Sequence, residues 1–186
     1  MDHIRRGEDM KIRNLSIFLS FLLLITYFVY AQGSQHKYVG VKKCMTCHKS
    51  QKSGDQYGIW QKGPHANALK TLSGDKAKEY AKNNNIADPA KEAKCLKCHS
   101  TKSAVDASLQ EATLTMEEAV SCESCHGPGS DYKSMKIMKS KEESIKNGLV
   151  LPTEEVCKNC HNPENPFNKE FNFKTYAAKI AHPTPK

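Results

Sequence analysis

Cys44-Met45-Thr46-Cys47-His48 is the first of four Cys-x-x-Cys-His segments in this chain of 186 residues. The other three are Cys95-Leu96-Lys97-Cys98-His99, Cys122-Glu123-Ser124-Cys125-His126 and Cys157-Lys158-Asn159-Cys160-His161. Together they use all eight cysteines and half of the eight histidines. Residues three and four apart share one helical face, so one turn presents two sulfurs and an imidazole to a flat ring. The pattern indicates c-type haem attachment, with two thioether bonds to the porphyrin and a histidine on the iron.

Two other uses of paired cysteines are open on the residues alone. Two zinc ribbons would each take four thiolates, one ribbon using the cysteines of the first two segments. Four disulfides in an exported chain would use the same sulfurs. Both leave the histidine that follows every second cysteine unexplained. Haem is therefore favoured, and four c-type haems are the predicted cofactors.

The amino-terminal segment predicts export. Basic residues precede an apolar run from Leu15 to Tyr30, and a small-residue cleavage pattern ends at Ala31. The predicted organisation is a signal peptide at residues 1–31 and a tetrahaem cytochrome c domain at residues 32–186, located in the periplasm. An uncleaved anchor, with membrane association, is the alternative, although the run is shorter than the ~20 apolar residues of a spanning helix.

The mature chain is poor in apolar residues for a core of its own. It has one tryptophan, 26% of all residues are charged, and no stretch shows convincing strand alternation. The predicted fold class is mostly α with extensive loops, a small multihaem cytochrome c fold organised around four covalently bound haems. The porphyrins would supply much of the apolar volume. Besides the haem segments, helices are predicted over 66–72, 76–83, 133–146 and 171–181.

Charge and motifs limit the classes of function. Without residues 1–31 the chain keeps 24 basic and 17 acidic residues. The lysines are expected to neutralise haem propionates and to dock redox partner proteins, an electron donor and an acceptor, and nothing indicates nucleic acid. No Ser-His-Asp, phosphate-loop or dinucleotide motif is present, so no catalytic residue is predicted.

Two blocks of the chain resemble the tetrahaem cytochrome c-554 family, whose members accept electrons from hydroxylamine oxidoreductase in ammonia oxidisers. The first runs from Val39 through His48 and continues with Trp60-x-x-x-x-His65-Ala66-x-Ala68 and Leu72. The second is Ser121 to Gly129, around the third haem segment. The second and fourth segments match by order, and Phe171 to His182 matches weakly. The resemblance implies a helical, haem-packed fold and an electron-transfer role.

The histidine count limits the sixth iron ligands. His48, His99, His126 and His161 are the proximal ligands, and His3 is lost with the leader. This leaves His36, His65 and His182, so at most three haems are bis-histidine within one subunit. By the resemblance His65 matches a distal histidine, and His182 lies near the position of another. His36 matches no motif, and a free histidine is favoured there.

One distal histidine of the family is missing here. It would follow the Gly-Pro-Gly turn and, by the resemblance, serve the haem on His48, but Tyr132, Met135 and Met138 occupy that stretch. A thioether from either methionine would raise the potential of that haem. Filling gaps against a porphyrin or a helix is the alternative use of methionine. His36 folding back, or reaching into a neighbouring subunit, is the remaining route.

The leading predicted function is a periplasmic electron carrier that passes single electrons between redox partners through four closely packed haems. By the resemblance the haem on His99 is five-coordinate, and an open iron binds small ligands such as nitric oxide. A reductase of nitric oxide or a related nitrogen oxide is the alternative function. A haem-bearing filament or a subunit of a larger complex is a third.

Overall fold

The computed structural model describes residues 35–184. The predicted signal peptide, its cleavage after Ala31 and His3 lie outside the described residues. Short helices joined by loops make up the described part, where the only β pairing is an isolated parallel bridge between Tyr38 and Gln110. The prediction of a mostly helical fold is confirmed. No helix within residues 35–184 is both long enough and apolar enough to cross a membrane.

Eleven α-helices are present in the described residues. They are α1 Val41–His48, α2 Gln56–Lys62, α3 Ala68–Thr71, α4 Asp75–Asn83, α5 Ala93–His99, α6 Thr101–Ala104, α7 Cys122–His126, α8 Met135–Met138, α9 Lys141–Lys146, α10 Glu154–Lys158 and α11 Phe173–Ile180. Single 3-10 turns cover Gln51–Ser53, His65–Asn67, Ala107–Leu109 and Met116–Glu118. The first three Cys-x-x-Cys-His segments end α1, α5 and α7, and the fourth begins in α10 and runs past its end.

Most predicted helices are found close to their expected bounds, but the helix predicted over 133–146 is wrong. It is two helices, α8 and α9, separated at Lys139 and Ser140. The Ser140 hydroxyl accepts a hydrogen bond from the Glu143 N–H at 3.2 Å. A serine in this role starts a new helix, because it satisfies an N–H that has no partner within the helix. The lysine-rich composition gave no sign of this interruption.

Few apolar side chains are buried in residues 35–184. They are Val39, Val41, Leu72, Ala81, Leu114, Ala119 and Tyr132. Several large apolar side chains are instead exposed, among them Phe167 and Leu151. A polypeptide core of this size stabilises a chain of this length poorly. The observation fits the expectation that bound cofactors supply apolar volume.

A buried carboxylate connects the start of α1 to the third Cys-x-x-Cys-His segment. These four segments are called attachment segments below. The Glu123 side chain is 1% exposed. Its Oε1 accepts hydrogen bonds from the Val39 N–H at 2.8 Å and the Gly129 N–H at 2.7 Å. Its Oε2 accepts from the Gly40 N–H at 2.7 Å. One side chain inside the third segment therefore fixes both the residues before α1 and the turn after α7.

A second buried carboxylate supports the same helix start. Glu118 Oε2 accepts from the Val41 N–H at 2.7 Å, and its Oε1 accepts from the Thr115 N–H at 2.8 Å. The Gly40 backbone has φ +84°, and a Cβ there would lie 2.5 Å from the Thr113 carbonyl oxygen. Glycine is required at this position, because only it combines the left-handed backbone with so close an approach.

Glu123→Gln tests the first carboxylate. In either orientation the new amide nitrogen faces a backbone N–H, so at least one buried donor loses its acceptor. We expect the free energy of unfolding to fall by about 2–3 kcal/mol. Thermal unfolding followed by circular dichroism on cofactor-loaded protein measures this loss. Glu79→Gln on the exposed face of α4 is the matched control, and equal midpoints for the two variants would contradict the role of Glu123.

Candidate haem sites

Three of the four motif histidines are held through the same ring nitrogen. His48 Nδ1 lies 3.2 Å from Gln56 Oε1, His99 Nδ1 lies 2.7 Å from the Ala68 carbonyl oxygen, and His126 Nδ1 lies 3.2 Å from the Val150 carbonyl oxygen. An oxygen of this kind only accepts, so each Nδ1 carries the proton. The Nε2 atoms are then free to bind a metal, in the arrangement that orients metal-bound imidazoles in proteins.

The Gln56 amide is itself fixed. It is buried at the start of α2, and its Nε2 donates to the Ser53 carbonyl oxygen at 2.5 Å and the Pro183 carbonyl oxygen at 2.9 Å. These two acceptors determine which end of the amide is nitrogen, so Oε1 faces His48. Gln56 therefore connects the first attachment segment to the chain after α11.

Aromatic rings surround His161, the fourth motif histidine. Its ring stacks on Phe171 with centroids 5.2 Å apart and an interplanar angle of 16°. The Tyr176 ring meets it edge-on at 5.5 Å. Burial lowers the pKa of His161 and so favours the neutral imidazole, the form that binds a metal. Residues of α11 and the loop before it position this ring.

Side chains of different attachment segments meet in pairs. The Cys44 and Cys122 side chains lie close enough to interact, and so do those of Cys98 and Cys160. Cys125 lies close enough to Cys157 for their charges to interact. The first segment thus adjoins the third, the second adjoins the fourth, and the third adjoins the fourth. The order of these neighbours was not predicted from the sequence.

The eight cysteines carry free thiols. None of the eight is joined to another by a disulfide bond. Burial raises the pKa of Cys125 to about 11 and is the main cause that raises the pKa of Cys160 to about 12. Within residues 35–184 no group of three or more His, Cys, Asp and Glu side chains is arranged to hold a metal ion. The four-thiolate shell of a zinc ribbon is therefore not assembled in the described part of the chain.

The residues present fit c-type haem. The donors are paired thiols followed by an oriented imidazole, the set that this cofactor requires. Ser121, directly before Cys122, supplies a further observation, because its Oγ is buried and has no hydrogen-bond partner among the described residues. A buried hydroxyl without a partner is costly, so it fits a polar group that the chain itself does not provide.

Two candidate distal histidines face motif histidines. The His65 ring lies 6.2 Å from that of His161, and the His182 ring lies 5.8 Å from that of His126. Burial lowers the pKa of His65 and of His126, so both favour the neutral imidazole. In the described residues no comparable histidine ring pair includes His48 or His99.

The remaining candidates have other partners. His36 Nδ1 lies 2.6 Å from Asp131 Oδ2, in an ion pair when the imidazole is protonated. Met135 is 68% exposed. Met138 Sδ accepts from the Ser144 hydroxyl at 3.8 Å. The structure thus places His36 and the two methionines around α8, α9 and the preceding turn.

Cysteines that adjoin across four attachment segments, with histidines oriented through Nδ1, define a c-type cytochrome. Residues 43–127 match the sequence model of the family Cytochrome c554 and c-prime. The resemblance stated from the sequence is confirmed over these residues, which make up a little under half of the chain.

One relative extends the match beyond this region. The chain is 34% identical over 129 residues to cytochrome c-554 of Nitrosomonas europaea, and the alignment covers 64% of this chain and 50% of that protein. The chain thus spans about half the length of the curated relative that it matches. No solved structure matches the chain.

Sequence reasoning missed the groups that orient the motif histidines. Two of them are main-chain carbonyls, of Ala68 and Val150, and any residue type supplies such an oxygen. Gln56 has a side chain but belongs to no motif. Glu123 could have been noticed in the sequence, since it is the one acidic residue enclosed by any of the four Cys-x-x-Cys pairs. A carboxylate between two attachment cysteines is buried only if the fold supplies donors for it.

Gln56→Leu tests the orientation of His48. The imidazole loses its acceptor and becomes a weaker donor to ferric iron, so the potential of one haem should rise. A tenfold change in relative affinity corresponds to about 60 mV for a one-electron couple. A spectroelectrochemical titration measures the shift. Thr71→Val is the control: Thr71 Oγ1 lies 3.2 Å from His99 Nδ1, but the Ala68 carbonyl still holds that ring. Equal shifts in the two variants would contradict the role of Gln56.

Proposed function

We propose that the protein is a periplasmic tetrahaem c-type cytochrome that carries single electrons between a donor protein and an acceptor protein. The observation that supports this most is the adjacency of the attachment cysteines, Cys44 with Cys122 and Cys98 with Cys160. When bound, each c-type haem supplies a one-electron iron couple. Attachment points that adjoin bring redox centres close together, as an electron carrier requires.

In this proposal the chain's own residues bind the haems and orient them. The eight motif cysteines hold the cofactors covalently, and the four motif histidines present Nε2 to them. His65 is proposed as a sixth ligand opposite His161, which the separation of their rings supports. Residues 1–31 are proposed to direct export and to be removed, leaving the tetrahaem domain at residues 32–186. No residue is assigned acid–base chemistry.

Surface charge suits docking to an acidic partner. The three lysines of α4, Lys76, Lys78 and Lys82, are all exposed, and so are Lys42 and Lys43 on α1. Opposite charge steers association between proteins and makes its rate depend on ionic strength. An electron donor or acceptor with an acidic face is therefore the partner that we propose.

We favour the carrier over the reductase of nitric oxide or a related nitrogen oxide. A carrier needs attachment sites that adjoin, and the cysteine contacts support these. A reductase needs a substrate-accessible iron with a proton donor beside it. No feature of the described residues points to such a donor near His99, whose Nδ1 is occupied by the Ala68 carbonyl.

Mass spectrometry and a redox titration test the proposed function. The full gene is expressed in a bacterial host that attaches c-type haem, and the exported protein is purified. We expect the mass of residues 32–186 plus four haems, and four one-electron steps in the titration. Stopped-flow mixing with a reduced acidic redox protein should show electron transfer that slows as salt is added. Free thiols, zinc or fewer than four haems would refute the proposal.

His65→Ala tests the proposed sixth ligand. Removing this imidazole should convert one of four haems from low-spin to high-spin in the ferric electron paramagnetic resonance spectrum. His36→Ala is the matched control, because His36 contacts Asp131 rather than a motif histidine. An unchanged spectrum for His65→Ala, or the same change in both variants, would remove His65 as a ligand.

A further inference from the structure

We propose that the buried carboxylates of Glu123 and Glu118 lower the reduction potentials of two particular haems, those attached by the first and third segments. Each carboxylate is a fixed negative charge, which disfavours the electron that is added when a nearby haem iron is reduced. The inference rests on the proposed function, because it assumes that these segments hold haems. It goes further in that it names the residues that make two of the four haems accept electrons less readily.

Hydrogen-bond donors keep both side chains in the charged form. The backbone N–H groups of Val39, Gly40 and Gly129 lie between 2.7 and 3.1 Å from the two carboxylate oxygens of Glu123. Glu118 is held in the same way by two backbone N–H groups, one on each oxygen. A carboxyl proton would face an N–H group instead of an acceptor. Donor sets of this kind therefore favour the carboxylate over the neutral acid.

No cation offsets these two charges in the described part of the chain. Glu123 is 1% exposed and Glu118 is 6% exposed. None of the ion pairs within residues 35–184 includes either residue. A buried charge is screened much less than one in water, so its effect extends further. Two uncompensated negative charges thus act on whatever lies close to them.

The first and third attachment segments lie within reach of these charges. Glu123 is placed in the chain between Cys122 and Cys125, the attachment cysteines of the third segment. In the first segment, the adjoining Cys122 side chain and burial are the main causes that raise the pKa of the Cys44 thiol. The charges of Glu123 and Glu118 raise it further. These sulfurs are the proposed thioether links, so the same charges act at the edges of both porphyrins.

The second and fourth segments carry charge of the opposite sign. Their Cys-x-x-Cys pairs enclose Lys97 and Lys158, and both lysines are exposed. Lys158 is also paired with Glu154, at 2.7 Å. Exposed charges are screened by water and salt, so these lysines change the potentials of their haems little. The fourth haem is therefore a suitable reference for the effect of the carboxylates on the third.

A spectral label separates the potentials of individual haems. A haem held by one thioether keeps one vinyl group, which moves its ferrous α band to longer wavelength. Cys125→Ala labels the third haem in this way, and Cys160→Ala labels the fourth. Each labelled full-length protein is first shown to bind four haems by mass, which separates failure of the proposed function from failure of this inference. Glu123→Gln is then added to each, and the shifted band is followed in a redox titration.

In the Cys125→Ala protein, Glu123→Gln should raise the midpoint potential of the labelled haem. A unit charge about 10 Å away, at an effective dielectric constant of about 20, changes an equilibrium on the order of tenfold. A tenfold change is about 59 mV for a one-electron couple. In the Cys160→Ala protein the labelled midpoint should move by less than half as much. An unchanged midpoint of the third haem, or an equal rise of both, overturns the proposal.

Glu123→Asp separates the charge from the hydrogen bonds. The shorter side chain keeps the charge but cannot reach all of the donors, so the thermal midpoint should fall while the labelled third haem nearly keeps its potential. The same rise in potential for the Asp and Gln variants overturns the proposal. Glu118→Gln is the second variant if the Glu123→Gln protein does not retain four haems. It removes the other buried charge, and a third haem whose midpoint does not rise then overturns the proposal.

Discussion

The fold depends on two carboxylates buried at the start of one helix. Glu123 and Glu118 accept the N–H groups of Val39, Gly40 and Val41, just where α1 begins. A helix begins with N–H groups that have no partner within the helix, and its positive end favours an anion. Burial raises the pKa of Glu123, while the N–H donors act in the opposite direction. The donors are therefore what makes a carboxylate tolerable in this position.

This interaction determines how the first and third attachment segments lie. Glu123 is part of the third segment, so the residues that it binds set the distance from Cys44 to Cys122. The Tyr132 hydroxyl adds to the same region by donating to the Gly127 carbonyl at 3.0 Å. With few buried apolar side chains, hydrogen bonds of this kind, together with the cofactors, have to replace the conventional core. The described residues are therefore organised around the attachment cysteines rather than around a core of apolar side chains.

Much of the candidate site was predictable because its chemistry requires particular residue types. Thioether formation needs cysteine and iron needs histidine, so the four segments stand out in the sequence. His65 was a candidate by resemblance, and the structure places it beside His161. Supporting groups carried no such signal: a backbone carbonyl holds His99 and another holds His126. The division of the predicted helix at Ser140 depends on one side-chain hydrogen bond, which periodicity cannot show.

Pairing between segments was not predictable at all, because it depends on contacts between residues far apart in the chain. Cys44 meets Cys122, and Cys98 meets Cys160, with no feature of the spacing that selects these partners. Under the proposed ligation of His65 opposite His161, the fourth haem has two histidine ligands, whereas the histidine count leaves at least one other haem with a single histidine. A haem with two histidine ligands and a haem with one have different reduction potentials, so the four haems would not be equivalent.

The long-range partners of residues 36–41 lie 70 residues or more further along the chain. Tyr38 bridges to Gln110, Val41 binds Glu118, Gly40 binds Glu123 and His36 binds Asp131. Contacts between residues so widely separated form slowly, since a long loop must close first. During synthesis, the Cys44 to His48 segment therefore emerges long before the residues that will pack against it. Its two thiols remain open to haem attachment over that interval, and the same holds for Cys98 until Cys160 has emerged.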